Sequence, residues 1–442
     1  MMRDLYGLRL TTGEQAGRAY NEAIAAVLRL HPGAIGGASR AIALDPTFAL
    51  GHAAVALLGY EFGERVDIGA RLAAARRHVA GATERERSHV HAVERHVGGD
   101  SGPLLRHLEQ WPADALLLSV AVPTIAFTGA PILPGQAWDL VEGCRPAYGD
   151  DWWFTGLLAF MRQEQHRFDE AMDLACRSLE AEPAGGHAAH ARAHAHYETG
   201  DHVSGLAWMD DWITHDGRTV ERLAHFSWHA AMHELSLGDL DAVARRYDDQ
   251  LQPTPALGCR ALVDSGSLLW RWSITPGADG VPPIDDVLAV APDVVAAPPT
   301  AFMAMHVAVA HCAAGDITAL ASLESWCARS DNRCIREVCT PLARALRRLA
   351  SGDPGKAADD LAGIESQLWR VGGSEAQREI VEETRIAALL RAGRYLEARD
   401  VLDARLDRRH SPRDRRWRQQ AVPGASLPAS SSSSSRIPKL KR

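Results

Sequence analysis

A short turn, usually Gly-Asp or Gly-Arg followed by an Ala-rich amphipathic segment, recurs along the chain and restricts its fold more than any other feature. The equivalent turn positions are spaced by 34, 38, 77, 37 and 41 residues; they are Arg167, Asp201, Asp239, Asp316, Asp353 and Arg394. Spacings of 34 to 41 residues are typical of paired-helix repeats, and the interval of 77 is close to two periods. Because one helical pair cannot bury its apolar face alone, the recurrence predicts pairs stacked into an array.

The ends of each unit are also those of helices. The turn glycine is expected to close the first helix, where a left-handed residue is tolerated. Proline closes the second helix in AIALDP at 41–46 and SLEAEP at 178–183. The best strand candidate, VLAVAPDVVAAPP at 287–299, is interrupted by proline. The sequence therefore predicts an all-α fold, an α-solenoid of tetratricopeptide-like helical hairpins (an α-α superhelix).

Three segments are distinguished along the chain. Residues 1–417 are expected to form the helical repeat array, with divergent repeats in 1–150 and clearer ones in 151–417. The segment 418–442 contains six consecutive serines and is expected to be a disordered, Ser-rich tail. The basic stretch RLDRRHSPRDRRWR at 405–418 is interpreted as a solvated helix end.

Composition excludes several classes of partner. The formal net charge is −8 and no basic stripe occurs, so no nucleic acid is expected as a partner. No window of 18 apolar residues lacks a charge and the N-terminus lacks an apolar leader, so no membrane association is expected. The seven cysteines include no CxxC pair, which argues against a zinc knuckle or a disulfide framework and favours a cytoplasmic protein.

Beyond the repeat pattern, the chain resembles the tetratricopeptide repeat protein 38 family from near its N-terminus to about residue 417. The segments that carry the resemblance are TERERSHVHAVERHVGGD (83–100), WPADALLL (111–118), HARAHAHYETGDHVSGLAW (190–208), WHAAMHELSLGDL (228–240), MHVAVAHCAAGD (305–316) and GGSEAQREIVEETRIAALLRAGR (372–394). The sequence departs from the family pattern at His187, Ala304 and Glu375. The resemblance implies an all-helical solenoid and no settled activity. It also implies that Gln377 and Arg378 occupy positions suited to orienting a polar ligand.

Histidine is unusually frequent, with 20 residues that concentrate in the middle of the chain. Residues four apart share a helix face, so His190 and His194 point the same way, as do His225, His229 and His233. Imidazoles in this arrangement suit zinc or a similar ion, and the metal candidates among them are His190, His194, His229 and His233. However, HAAMHE at 229–234 is not an HExxH motif, and no carboxylate completes the set. A divalent metal is thus the one cofactor left open, and none is firmly indicated.

Two other interpretations of the histidines remain. They could form an acid–base pocket for a small molecule, with His306 joining the central cluster and Trp228 supplying an apolar wall. They could instead bridge buried helices through hydrogen bonds and carry no ligand.

The function that follows is that of a helical-repeat binding or scaffold protein. Its His-rich concave groove would take a peptide, a partner protein or a small ligand. The alternative is an enzyme that uses the His-lined pocket for acid–base or metal-assisted chemistry, with the catalytic residues unassigned. The candidate ligand-binding residues are His190, His194, Trp228, His229, His233, His306, Gln377 and Arg378. A carboxylate beside the histidines would favour the enzyme.

Overall fold

The computed structural model describes residues 2–62, 66–125, 134–221, 223–254 and 257–422. Helix makes up 76% of the structure and the described residues contain no strand, so the all-α prediction is confirmed. Among these residues, no helix is long and apolar enough to cross a membrane.

The described residues form 24 α-helices. In the first third these are α1 Glu14–Arg29, α2 Ala34–Leu44, α3 Ala49–Phe62, α4 Ile68–His78, α5 Glu84–Val97, α6 Gly102–Gln110, α7 Ala115–Ala121 and α8 Pro134–Tyr148. The middle of the chain contains α9 Trp152–Glu164, α10 Phe168–Ala181, α11 Gly186–Thr199, α12 His202–Thr214, α13 Leu223–Leu237, α14 Leu240–Arg246 and α15 Ser267–Ile274. The last part contains α16 Asp285–Ala289, α17 Pro292–Ala296, α18 Ala301–Ala314, α19 Ile317–Ala328, α20 Thr340–Ala350, α21 Pro354–Ile364, α22 Glu375–Arg391, α23 Tyr395–Arg408 and α24 Pro412–Gln420. Shorter segments are 3-10 helical at Val79–Gly81 and Glu365–Val371, and π-helical at Tyr247–Leu251, Leu262–Gly266 and Ile335–Cys339.

The recurring turn has the structure that its residues predict. Gly200 (φ 74°) ends α11 and Gly315 (φ 67°) ends α18 in the left-handed conformation that glycine adopts at low cost. After Gly315, the aspartate caps the next helix, since the Asp316 side chain accepts a hydrogen bond from the backbone N–H of Ala319. Each turn therefore ends one helix and starts its partner within two residues.

Consecutive helices pack against one another, and α9 packs against both α10 and α11. The hydrophobic core forms two clusters that meet at α11. Ala191 belongs to the N-terminal cluster, whereas Ala189 and Ala193 belong to the C-terminal one. Both α11 and α13 are buried on nearly every side. Polar side chains on these two helices therefore lie inside the protein, where each needs a partner.

The basic stretch at 405–418 is not a solvated helix end, and that interpretation was wrong. Arg405 and Arg413 are buried, and both contact the buried carboxylate of Glu383 on α22. Arg405 also donates to Asp414 at 2.8 Å. The helix α24 that carries this charge packs against α13 and continues to Gln420, past the predicted array boundary at 417. From residue 423 onward, the predicted Ser-rich tail lies outside the described residues.

Candidate functional site

Two predicted histidine faces meet in the interior. His190 and His194 lie on α11, and His229 lies on α13. The ring centroids of His190 and His229 are 4.9 Å apart, and those of His194 and His229 are 4.6 Å apart. His225, one turn before His229, completes the group with centroids 5.1 Å from His190 and 4.8 Å from His229. We call these four residues the imidazole cluster.

The ring nitrogens of the imidazole cluster converge. His190 Nε2 lies 3.2 Å from His194 Nε2 and 3.2 Å from His225 Nε2. His190, His225 and His229 each offer a ring nitrogen within 4.8 Å of those of the other two. In the described part of the chain, His229 Nε2 is buried and makes no hydrogen bond.

A buried carboxylate contacts one member of this cluster. The Oδ1 atom of Asp264 accepts a hydrogen bond from His225 Nδ1 at 2.8 Å, and both side chains are buried. In the tautomer that donates from Nδ1 to Asp264, the Nε2 atom of His225 carries a lone pair and lies toward His190. This is the carboxylate that the sequence did not reveal.

Asp264 was missed because it stands outside the repeated turn. It lies in the π-helical segment Leu262–Gly266, and single π turns are frequent at functional sites. The available signal was one acidic residue inside the otherwise apolar and small-residue stretch ALVDSGSLLW at 261–270. A lone buried acid needs a partner, but its position in the sequence does not say which.

Burial keeps His194 and His229 uncharged near neutral pH. Burial, together with the charge of His225, lowers the pKa of His194 to about 3. Burial and the neighbouring imidazoles hold the pKa of His229 well below its ordinary value. Neutral imidazoles keep a lone pair for a cation or for an acidic proton.

The imidazole cluster opens onto a cavity of 630 Å³. His190 and His225 form part of one wall. Apolar side chains contribute much of the remaining surface; they include Val122, Ile125, Trp138, Phe160, Met161 and Trp369. The half-buried Glu164 also lines the cavity, and burial raises the pKa of its carboxyl group. A volume of this size and a lining surface that is mainly apolar are typical of small-molecule sites.

The predicted residues Gln377 and Arg378 also line this cavity. Ser374 and Gln377 form a capping box at the start of α22, in which Gln377 Oε1 accepts from the backbone N–H of Ser374 at 2.9 Å. The amide NH₂ group of Gln377 makes no hydrogen bond with any described residue. Arg378 donates to the carbonyl oxygens of Gly372 and Gly373, which holds its guanidinium at the cavity wall.

Other predicted site residues lie elsewhere. His233 pairs with His202, with their Nδ1 atoms 3.1 Å apart, and both rings contact Tyr197 at centroid distances of 6.0 and 5.6 Å. The imidazole of His306 donates from Nδ1 to the carbonyl of Phe302 at 2.9 Å, and no described ring contact joins it to another histidine. Trp228 stacks on His225 with ring centroids 5.5 Å apart, and its indole N–H donates to Ser267. It therefore holds the His225 ring in place and does not line the cavity among the described residues.

A second group of titratable side chains surrounds Asp114. Its Oδ2 atom accepts from Arg85 Nη1 (3.0 Å), His89 Nδ1 (2.8 Å) and His107 Nε2 (3.1 Å). Burial opposes the charge of Asp114, but the His89 charge, the two imidazole hydrogen bonds and Arg85 hold its pKa well below the ordinary value. One oxygen surrounded by three donors has little capacity left for a cation, so this group ties α5 and α6 to the residue that precedes α7.

No protein-family model matches the sequence. The resemblance to the tetratricopeptide repeat protein 38 family therefore stays a prediction.

Proposed function

We propose that the protein binds a small organic molecule with an anionic group in the cavity between the imidazole cluster and the start of α22. The observation that carries this proposal is one cavity of 630 Å³ with His190 and His225 on its wall and Gln377 and Arg378 also in its lining. Among the ligands considered for the groove, a small molecule suits a cavity of this volume better than a peptide or a partner protein does.

The polar groups favour a negatively charged end on that ligand. Arg378 and the amide NH₂ of Gln377 both lie at the first turn of α22. The positive end of a helix dipole and a guanidinium both stabilise an anion, and Arg378 adds charge-assisted hydrogen bonds. Phe160 and Trp138 would cover the apolar part of the molecule.

The dye anilinonaphthalene sulfonate, which joins an apolar ring system to an anion, tests this proposal. We expect the native protein to bind it, and Arg378→Met to weaken binding roughly tenfold through the lost charge-assisted contact. Ala137→Trp should block binding, because Ala137 lines the cavity. The measurement is fluorescence titration.

Arg391→Met is the matched control, since Arg391 is exposed at the other end of α22. It should bind the dye like the unmodified protein. If Arg378→Met and Ala137→Trp both bind the dye as tightly as the unmodified protein does, the dye binds elsewhere and the proposal is contradicted.

We also propose that the helices around the cavity are arranged as a tetratricopeptide-like solenoid. Packing of α9 on both α10 and α11, and of α20 on both α19 and α21, supports repeated hairpins stacked side by side. Contacts of α1 with α11 and of α15 with α22 join helices that are distant in sequence. A cytoplasmic location and membership of the tetratricopeptide repeat protein 38 family belong to this proposal as well.

Catalysis in the same cavity is the second candidate function, and the Asp264–His225 pair favours it. A carboxylate that orients an imidazole through Nδ1 leaves Nε2 as a general base for a bound water. This function predicts hydrolysis of p-nitrophenyl acetate above the buffer rate and a loss of at least tenfold in Asp264→Asn. His233→Ala should keep the rate, and hydrolysis at the buffer rate by the unmodified protein would contradict the hydrolase.

A further inference from the structure

We infer that His190, His225 and His229 form a binding site for a divalent transition metal of the zinc class, with Asp264 orienting one ligand. This inference goes beyond the proposed function, because it concerns the imidazoles in the cavity wall and does not depend on the organic ligand.

The nitrogen spacing carries the first part of the argument. Zinc binds imidazole nitrogen at 2.0–2.1 Å with tetrahedral geometry, so two ligand nitrogens lie about 3.3 Å apart. The Nε2 atoms of His190 and His225 are 3.2 Å apart. His229 brings a third ring nitrogen within 4.8 Å of both. The three ligands come from the two buried helices α11 and α13, which pack against each other.

Hydrogen bonding alone accounts less well for the same contacts. His190 Nε2 is 3.2 Å from two other Nε2 atoms, but a ring nitrogen carries either one proton or one lone pair. One such nitrogen must divide its single proton or lone pair between both neighbours. His229 Nε2 is buried without any hydrogen bond among the described residues, which is costly for a polar atom. A cation held by the three imidazoles would bond one ring nitrogen of each residue at once.

Asp264 adds the outer-shell partner that such sites use. Metal-bound histidines commonly donate their other N–H to a carboxylate, which sets the tautomer and raises the basicity of the ligand nitrogen. The 2.8 Å bond from His225 Nδ1 to Asp264 Oδ1 has this arrangement. Trp228, stacked on His225 at 5.5 Å, restricts rotation of the ring.

Three protein ligands leave a fourth position open. Because His190 and His225 line the cavity, that position is accessible from it and would hold water or an anionic ligand atom. His194 stands outside the set of three mutually close ring nitrogens, although its Nε2 lies near His190 Nε2. Imidazole ligands without a thiolate suit zinc, cobalt and nickel better than calcium or magnesium.

The test is titration of the chelator-treated full-length protein with Co²⁺ and Zn²⁺. We expect one equivalent of Co²⁺ to give the visible absorption of a four- or five-coordinate ion, and Zn²⁺ to displace it. His225→Ala and His229→Ala should each lower Zn²⁺ affinity at least 100-fold. Asp264→Asn should lower it by about 10- to 100-fold without removing the site.

His233→Ala is the matched control, because His233 is equally buried on α13 but pairs with His202. It should keep the affinity of the unmodified protein. The inference is overturned if the unmodified protein does not bind Co²⁺ stoichiometrically. It is also overturned if His233→Ala and His229→Ala lose the same amount of Zn²⁺ affinity. Should His229→Ala fail to fold, His229→Gln and the Co²⁺ spectrum of the unmodified protein decide. Dye binding without metal binding would leave the cavity proposal standing, and the reverse result would leave the metal site standing.

Discussion

Replacing Glu383 by glutamine is expected to lower the free energy of unfolding by roughly 3–5 kcal/mol. Glu383 is fully buried on α22 and is contacted by three arginines from three other segments. Arg271 donates to it at 3.0 Å, and Arg413 and Arg405 approach its other oxygen. Burial alone would raise the pKa of Glu383, but the charges of these arginines hold it below the ordinary value.

The size of this effect follows from what remains after the substitution. Asp414 also contacts Arg405, but Arg271 then loses its buried anionic partner. A buried charge without a partner costs several kcal/mol, whereas the intact pair contributes little over apolar packing. Urea unfolding followed by circular dichroism measures the loss.

Glu365→Gln serves as the control for Glu383→Gln. Glu365 pairs with Arg385 at 2.7 Å, but its side chain is 56% exposed, so the expected loss is below about 1 kcal/mol. Equal losses in the two variants would show that the buried network tolerates an uncompensated arginine, contrary to this prediction.

Acidification is expected to weaken the fold through its buried histidines, with His202 and His306 together contributing roughly 3 kcal/mol between pH 6.5 and pH 5. Burial lowers the pKa of His202 to about 4, with Arg409 and Arg413 adding to the effect. Burial also lowers the pKa of His306 to about 4 and holds that of His233 well below its ordinary value. In the unfolded chain these three side chains bind protons near pH 6.5.

The sign of the effect is set by where the protons bind. Below pH 6.5 the unfolded state binds protons on these histidines that the folded state excludes, until about pH 4 for His202 and His306, so stability falls as the pH falls. His202 and His306 each contribute up to about 1.4 kcal/mol per pH unit in that window. Urea unfolding at several pH values gives the slope.

His306→Gln should reduce this slope by one proton, or about 1.4 kcal/mol per pH unit. His215→Gln is the control, because the His215 side chain is 69% exposed and should leave the slope unchanged. A free energy of unfolding that stays level from pH 7 to pH 5.5 would contradict neutral, buried imidazoles.

The sequence by itself determined the features that depend on neighbouring residues. The left-handed glycine and the aspartate cap at Gly315 and Asp316 follow from the chemistry of one turn, so the helix boundaries there could be predicted. The shared face of His190 and His194 follows from the helical period alone. These features need no knowledge of the path of the chain.

Tertiary structure decided which of those faces meet. Asp264 reaches His225 across 39 positions, and Arg413 reaches Glu383 across 30. The cavity joins Val122 in the first third of the chain to Arg378 near the C-terminus. His229 and His233 lie on one helix, yet the first joins the imidazole cluster and the second pairs with His202. The sequence predicts which side chains share a helix face, but the packing of helices distant in sequence determines which partners those side chains contact.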